Sequence, residues 1–158
     1  MTTPHMSPRV AAGLVALLLG TACGGATTEL ATDPEAPLEV ELRGNRIVFN
    51  HKLQFEWDSA QILEESYPIL DRICELLAEH EEIFRVQVQG HTSVDGQEQH
   101  NQELSAARAE AVAEYLRGHG VTQEITSQGY GETYPVCRDE TEECHLQNRR
   151  VEFFVDSR

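Results

Sequence analysis

Residues 84–90, FRVQVQG, alternate strictly between apolar and polar side chains. From Gln97 to Arg117 the apolar spacing lengthens to that of a helix. A period of 2 and a period of 3.6 cannot share one register, so a half-buried strand, a turn (GHTSVDG) and an amphipathic helix must follow one another here. Phe84, Val86 and Val88 are expected to point inward from the strand. Leu104, Ala107, Ala111, Val112, Tyr115 and Leu116 are expected as the buried stripe of the helix, which Gly118 and Gly120 end.

The rest of the chain is assigned in the same way. RIVFN and LQFEW are β-rich runs joined by HK and read as a short strand pair. Asp58 or Ser59 is expected to cap a turn of helix, SAQILEES. Ser66 precedes YPILDRICELLAEH, where Pro68 suits the first turn and Ile69, Leu70, Ile73, Leu76 and Leu77 recur at helical spacing. EITSQGYG reads as a further strand, with Gly129 and Gly131 serving a tight turn. A polar loop follows, then RRVEFFVD as the last strand, with Val151, Phe153 and Val155 on one face. Strands alternating with helices predict an α+β fold: a two-layer sandwich of one mixed sheet with two main helices on one face. Phe55, Trp57 and Phe84 are assigned to core or sheet face in preference to a sugar-stacking platform.

The 158 residues suffice for one domain plus a leader. A formal net charge of -15 repels phosphate backbones, so nucleic acid is not an expected partner. Near the start, AAGLVALLLG is apolar for about half the length needed to cross a bilayer, which fits the centre of a signal peptide over residues 1–22. Ala22 and Cys23 follow at the cleavage position and resemble a lipobox, with Gly20 where Leu is usual. That resemblance implies that Cys23 becomes the lipid-bearing first residue of a bacterial lipoprotein, in preference to ordinary secretion with Cys23 as a plain residue. Gly24, in place of an Asp retention signal, favours the outer membrane. Residues 23–40 are small, acidic and Pro-containing, and are expected to form a flexible tether ahead of a domain at 41–158. In an oxidising compartment Cys137 and Cys144 are expected to form a disulfide, in preference to two thiols or a metal pair with His145. Cys74, among apolar neighbours, is expected to be a buried free thiol.

The segment Gly90–Ala109 concentrates the polar chemistry. His91, Ser93 and Asp95 are the residue types of a hydrolase triad, but alternate residues of one short turn cannot easily make both required hydrogen bonds, and no oxyanion loop is evident. No catalytic residues are assigned. The seven His are scattered without metal-ligand spacing, so no metal or cofactor is expected either. Asn101 and Arg108 lie seven apart, on one helix face. Arg108 is suited either to a ligand carboxylate or to a surface salt bridge with a Glu. The turn over the helix start offers unpaired backbone N–H groups. A ligand bearing a carboxylate and a nearby ammonium would suit this arrangement, given an acidic side chain for the ammonium.

FEWDSAQI, then GHTSVDG with Asn101 and LSAARAEAV, then GYGETYPV, and finally NRRVEFFV occur in the order found in the OmpA C-terminal-like family, which the chain resembles over about residues 46–156. Proteins similar to this bind peptidoglycan without covalent attachment, and include peptidoglycan-associated lipoproteins and flagellar stator subunits. The resemblance implies recognition of diaminopimelate in the stem peptide. It implies Asn101 as the Asn of N-x-x-L-S, Arg108 as the carboxylate partner, Arg149 and Arg150 at the start of the last strand, and Asp58 as the acidic position after the first strand pair. One position departs from the pattern. After Thr92, where the family has the Asp expected to accept the ammonium, this chain has Ser93. Asp95 or Asp58 is a candidate substitute, although Asp95 before Gly96 also suits a plain turn. The sequence therefore predicts an outer-membrane lipoprotein tethering membrane to cell wall through the peptidoglycan stem peptide. The alternative is an assembly module with a weakened site that binds other envelope proteins.

Overall fold

The computed structural model describes residues 37–158. The expected signal peptide, the expected lipobox with Cys23 and the expected tether up to residue 36 lie outside the described residues, whereas Leu38 packs on the core and Val40 already begins the first strand, so the domain starts ahead of residue 41. Five strands form one mixed sheet in the order β1-β2-β5-β3-β4. They are β1 (Val40–Arg43), β2 (Arg46–Phe49), β3 (Ile83–Gly90), β4 (Glu124–Gly129) and β5 (Val151–Ser157). The β3–β4 pair is parallel and the other pairs are antiparallel. Helix α1 (Tyr67–Glu79) and helix α2 (Glu98–Gly118) supply one layer, and a short α3 (Glu142–Asn148) precedes β5. The α+β sandwich is as expected from the sequence.

The core lies between sheet and helices. Leu70, Ile73 and Leu77 of α1 and Val112 and Leu116 of α2 meet Val86, Val88 and Phe153 of the sheet, all fully buried. Burial of a side chain of this size stabilises by about 1.5–3 kcal/mol. Helix α2 forms the crossover between the parallel strands β3 and β4, and its facing stripe is unusually small: Ser105, Ala109 and Ala113. Small side chains let the helix come close to the sheet. The approach is tightest at Gly90 and Gly129, which are partners across the β3–β4 register. A Cβ on Gly90 would lie 2.2 Å from the Ser105 carbonyl oxygen, and one on Gly129 would lie 2.3 Å from the Ala106 nitrogen.

Several details differ from the sequence-based assignment. RIVF pairs with VELR upstream, not with LQFEW, because Gly44 at φ 62 closes a hairpin between Arg43 and Arg46. LQFEW and SAQILEES form no strand pair and no α-helix. They fold back on each other through a bridge between Phe55 and Ile62, followed by a 3-10 turn at Glu64–Ser66. A register shift between Ile83 and Arg85 puts Ile83 in the core and leaves Phe84 outside it, near the guanidinium groups of Arg85 and Arg158. The buried stripe of α2 is Asn101, Ser105, Ala109, Val112, Ala113 and Leu116, so Ala107 is exposed and Leu104 and Ala111 are half-buried. The polar loop contains α3, where the Thr141 hydroxyl accepts a hydrogen bond from the Cys144 N–H as an N-cap. The Cys137–Cys144 disulfide closes this segment as expected. Cys74 is a free thiol but only partly buried.

Gly129→Ala is expected to cost about 2–3 kcal/mol, since the new methyl meets backbone rather than a movable side chain. Gly118→Ala, where nothing lies within 4 Å, serves as the neutral control. Urea unfolding midpoints of the two variants measure the difference.

Candidate functional site

The parallel strands β3 and β4 end side by side at Gly90 and Gly129, and β5 begins opposite them at Val151. The segments leaving these ends collect the candidate residues at one edge of the sheet. His91, Thr92 and Ser93 continue from β3 and are buried, at 4%, 5% and 4% exposure. The His91 N–H donates to the Arg150 carbonyl at 2.9 Å, and the Thr92 N–H to the Gly131 carbonyl at 2.9 Å. Thr92 therefore joins the turn to the loop after β4, and its hydroxyl faces no partner.

Asn101 is the strut of this turn. It is 3% exposed, and its amide nitrogen donates to the Ser93 carbonyl (3.2 Å), the Asp95 carbonyl (3.0 Å) and the Glu132 carboxylate (2.8 Å). Two N–H groups serve three acceptors, so the amide is fully committed. Asn101 thus shapes the site from beneath and offers no free donor to a ligand.

An anionic position sits on top of the turn. The Ser93 hydroxyl donates to Asp95 Oδ2 at 2.9 Å, and the same oxygen lies 2.9 Å from His145 Nδ1 and 3.6 Å from Arg149 Nη1. Arg149 also reaches the Ser93 hydroxyl at 3.4 Å and pairs with Glu142. The Asp95 side chain remains 56% exposed. Helix α3 supplies both His145 and Glu142. The disulfide and the Asn148 side chain, which accepts from the Val136 and Cys137 N–H groups, tie α3 to the preceding loop.

Arg108 forms the cationic position. Its side chain is half-buried, with Nε donating to the Ser59 carbonyl at 2.9 Å and the guanidinium 5.1 Å from the centre of the Phe55 ring. Among the described residues no carboxylate lies within 4 Å of it, and its two terminal nitrogens make no protein hydrogen bond. Burial lowers its pKa below the ordinary guanidinium value, the Asp58 charge opposes this, and Arg149 adds to it. Asp58 itself is exposed and sits 2.5 Å from His100 Nε2. The structure therefore brings Ser93, Asp95 and Arg149 into contact, while Arg108 lies within electrostatic range of Arg149 on one hand and of Asp58 on the other. Glu132, His145, Glu142 and Ser59 were not foreseen. The sequence signal for two of them was Thr141-Glu142-Glu143, an N-cap followed by acidic residues, which marks the start of α3.

A hydrolase triad is not assembled. The Ser93 hydroxyl points to Asp95, whereas the His91 ring stacks on Tyr130 with centroids 5.5 Å apart and lies 3.7 Å from Glu152. What the site offers is a guanidinium whose terminal nitrogens are unpaired among the described residues, within electrostatic range of Arg149, which in turn holds the Asp95 carboxylate.

A model of the OmpA family matches residues 54–149. The chain is 35% identical over 109 residues to the peptidoglycan-associated lipoprotein of Legionella pneumophila, covering 68% of this chain and 61% of that protein. It is 36% identical over 105 residues to the peptidoglycan-binding protein ArfA of Mycobacterium bovis, covering 66% of this chain and 32% of the relative. The chain thus spans less than two thirds of either relative. Among solved structures, the cell wall anchor of the T6SS from Pseudomonas aeruginosa superimposes with a TM-score of 0.63 at 30% identity, covering 77% of this chain and 88% of that one.

His91 carries a pH dependence of its own. Neither ring nitrogen has a hydrogen-bond partner. Burial pushes its pKa down to about 4, Arg150 and Arg46 push the same way and Glu152 opposes them. A folded-state pKa below the unfolded value means that the unfolded chain takes up the proton first. Stability from this group is therefore intact above about pH 6.5 and falls as the pH drops toward 4, by up to about 3 kcal/mol. His91→Phe, which keeps the stack on Tyr130, is expected to flatten the melting-temperature profile over that window.

Proposed function

The chain belongs to the OmpA family, and on that premise we propose that it binds peptidoglycan non-covalently by gripping diaminopimelate of the stem peptide. Arg108 takes the carboxylate and Asp95 the ammonium, with Ser93 and Arg149 holding Asp95 in place. Thr92 and Asn101 keep the turn in shape, and Asp58 supplies further negative charge beside Arg108. The observation that carries this reading is the half-buried guanidinium of Arg108. It is fixed through Nε, held beside Phe55, and left without a carboxylate among the described residues. An arginine so desolvated and so incompletely paired is poised for an anionic ligand. The names of the Legionella and Mycobacterium relatives and of the Pseudomonas cell wall anchor point the same way.

The whole protein is read as an outer-membrane lipoprotein: a signal peptide at 1–22, lipidated Cys23, an acidic tether that ends ahead of β1 at Val40, and the wall-binding domain from there to residue 158, facing the periplasm. It is a binding and structural protein, not an enzyme. One observation favours a second reading. Ser93 stands where the family pattern has the ammonium-accepting Asp, and it is buried. If Asp95 does not compensate, the domain is a module that docks on another envelope protein.

Retention on purified peptidoglycan separates the two readings. Arg108→Ala is expected to lower retention roughly thirtyfold or more, the cost of removing a desolvated charged partner. Asp95→Asn is expected to weaken it as well, and Ser93→Asp to strengthen it by adding charge. Equal retention of Arg108→Ala and the unaltered chain would sink the clamp, and no response to Ser93→Asp would favour the protein partner.

A further inference from the structure

The loop that holds Arg108 also displays the chain's single tryptophan. Trp57 is 93% exposed, far more than the other large apolar side chains on the surface, and was expected in the core or on the sheet. The backbone that carries it is closely pinned. The Glu56 N–H donates to the Gln61 carbonyl at 2.9 Å and the Leu63 N–H to the Gln54 carbonyl at 3.0 Å, so the segment is a tight hairpin. At its tip the Ser59 N–H donates to the Glu56 carbonyl at 3.2 Å, a turn with Trp57 and Asp58 at its centre. Asp58 adopts φ 50, a left-handed conformation that only a few non-glycine residues tolerate, and Asp is among them. Its carboxylate meets His100 at the start of α2, which fixes the tip against the helix. A strained turn that holds a bare indole in water gains no burial from it, and such arrangements cluster at ligand sites.

Trp57 lies two residues from Ser59, whose carbonyl holds Arg108, so the two Cα atoms are within about 7 Å. A stem peptide with its third residue on Arg108 would carry its sugar about 10 Å away, within reach of the indole. Glu56 and Asp58, both exposed, border Trp57. An aromatic face bordered by carboxylates suits a pyranose, which has one apolar C–H face and an edge of hydroxyl and amide donors. The same carboxylates, with the chain's net charge of -15, repel an anionic lipid surface.

We propose that Trp57 is the stacking platform for an N-acetylated sugar ring of the glycan strand whose stem peptide is held by Arg108 and Asp95. This rests on the stem-peptide reading for its geometry, but its readout is independent, because all tryptophan emission comes from Trp57. Two ligands are titrated, a disaccharide stem peptide and the same peptide without sugars, by calorimetry and by fluorescence with acrylamide quenching. The disaccharide peptide is expected to bind about tenfold tighter, the gain from covering one aromatic face, and only it should shift emission to the blue and protect the indole. Trp57→Ala should close the gap between the two ligands. Equal affinities with unshifted emission would overturn the platform. So would a blue shift produced instead by phosphatidylglycerol vesicles. Emission shifted by the disaccharide peptide while the sugar-free peptide fails to bind would sink the stem-peptide grip and leave the platform standing.

Discussion

The close contact of α2 with Gly90 and Gly129 is the constraint on which the rest depends. Two neighbouring strand ends without side chains let one turn of helix rest almost on the backbone. That contact sets the height of α2 over the sheet, and so the position of Asn101 one turn before Ser105. Asn101 can then reach both carbonyls of the turn after β3 and the carboxylate of Glu132 after β4. Without the glycines, the helix would stand off and the amide would miss its acceptors. Buried acceptors left unpaired cost about 1–3 kcal/mol each, so the turn and the helix support each other.

The turn in turn sets the electrostatics. Ser93 is held inward, and its hydroxyl donates to the carboxylate two residues on. On the proposed reading, the negative charge has moved from position 93 to position 95 and is held there from three sides by Ser93, His145 and Arg149. Helix α3 contributes one of these groups directly and orients another through Glu142, so the disulfide-closed segment belongs to the site and not to its periphery. Arg108 is positioned from a different part of the chain, the hairpin at residues 54–63. The site is therefore built where three segments with little sequence proximity converge at the ends of β3 and β4.

Much of this was legible in the sequence, and the failures have physical causes. Helix α1, strand β5 and strand β3 from Val86 onward follow their periods because they bury one face against a single core, and only the register shift at Ile83 breaks the alternation that placed Phe84 inward. Helix α2 was found, but its stripe was misplaced. Ser105, Ala109 and Ala113 look neutral on any hydrophobic scale; Ser105 is buried against Gly90 and Gly129, and Ala109 and Ala113 are buried in the core beneath the helix. Asn101 was recognised as important, but its residue type cannot say whether an amide faces ligand or backbone. The first hairpin was mispaired because RGNR and HK are both short polar breaks, and only the conformation of Gly44 decides between them. Helix α3 was hidden by its low apolar content, and Trp57 was assigned inward because aromatic residues usually are. The Cys137–Cys144 pairing was expected from a short spacing in an oxidising compartment, and the two sulfurs are bonded in the structure.

The central claim is that one side chain recognises the carboxylate of diaminopimelate while another recognises its amine. Calorimetric titration with a stem peptide carrying diaminopimelate, against the same peptide carrying lysine, tests it directly. Lysine keeps the ammonium and lacks the second carboxylate, so Arg108 would have nothing to hold. Binding of the first peptide, with the second weaker by an order of magnitude or more, is the predicted result, about 1.4 kcal/mol per tenfold. Equal affinity for the two would contradict the account.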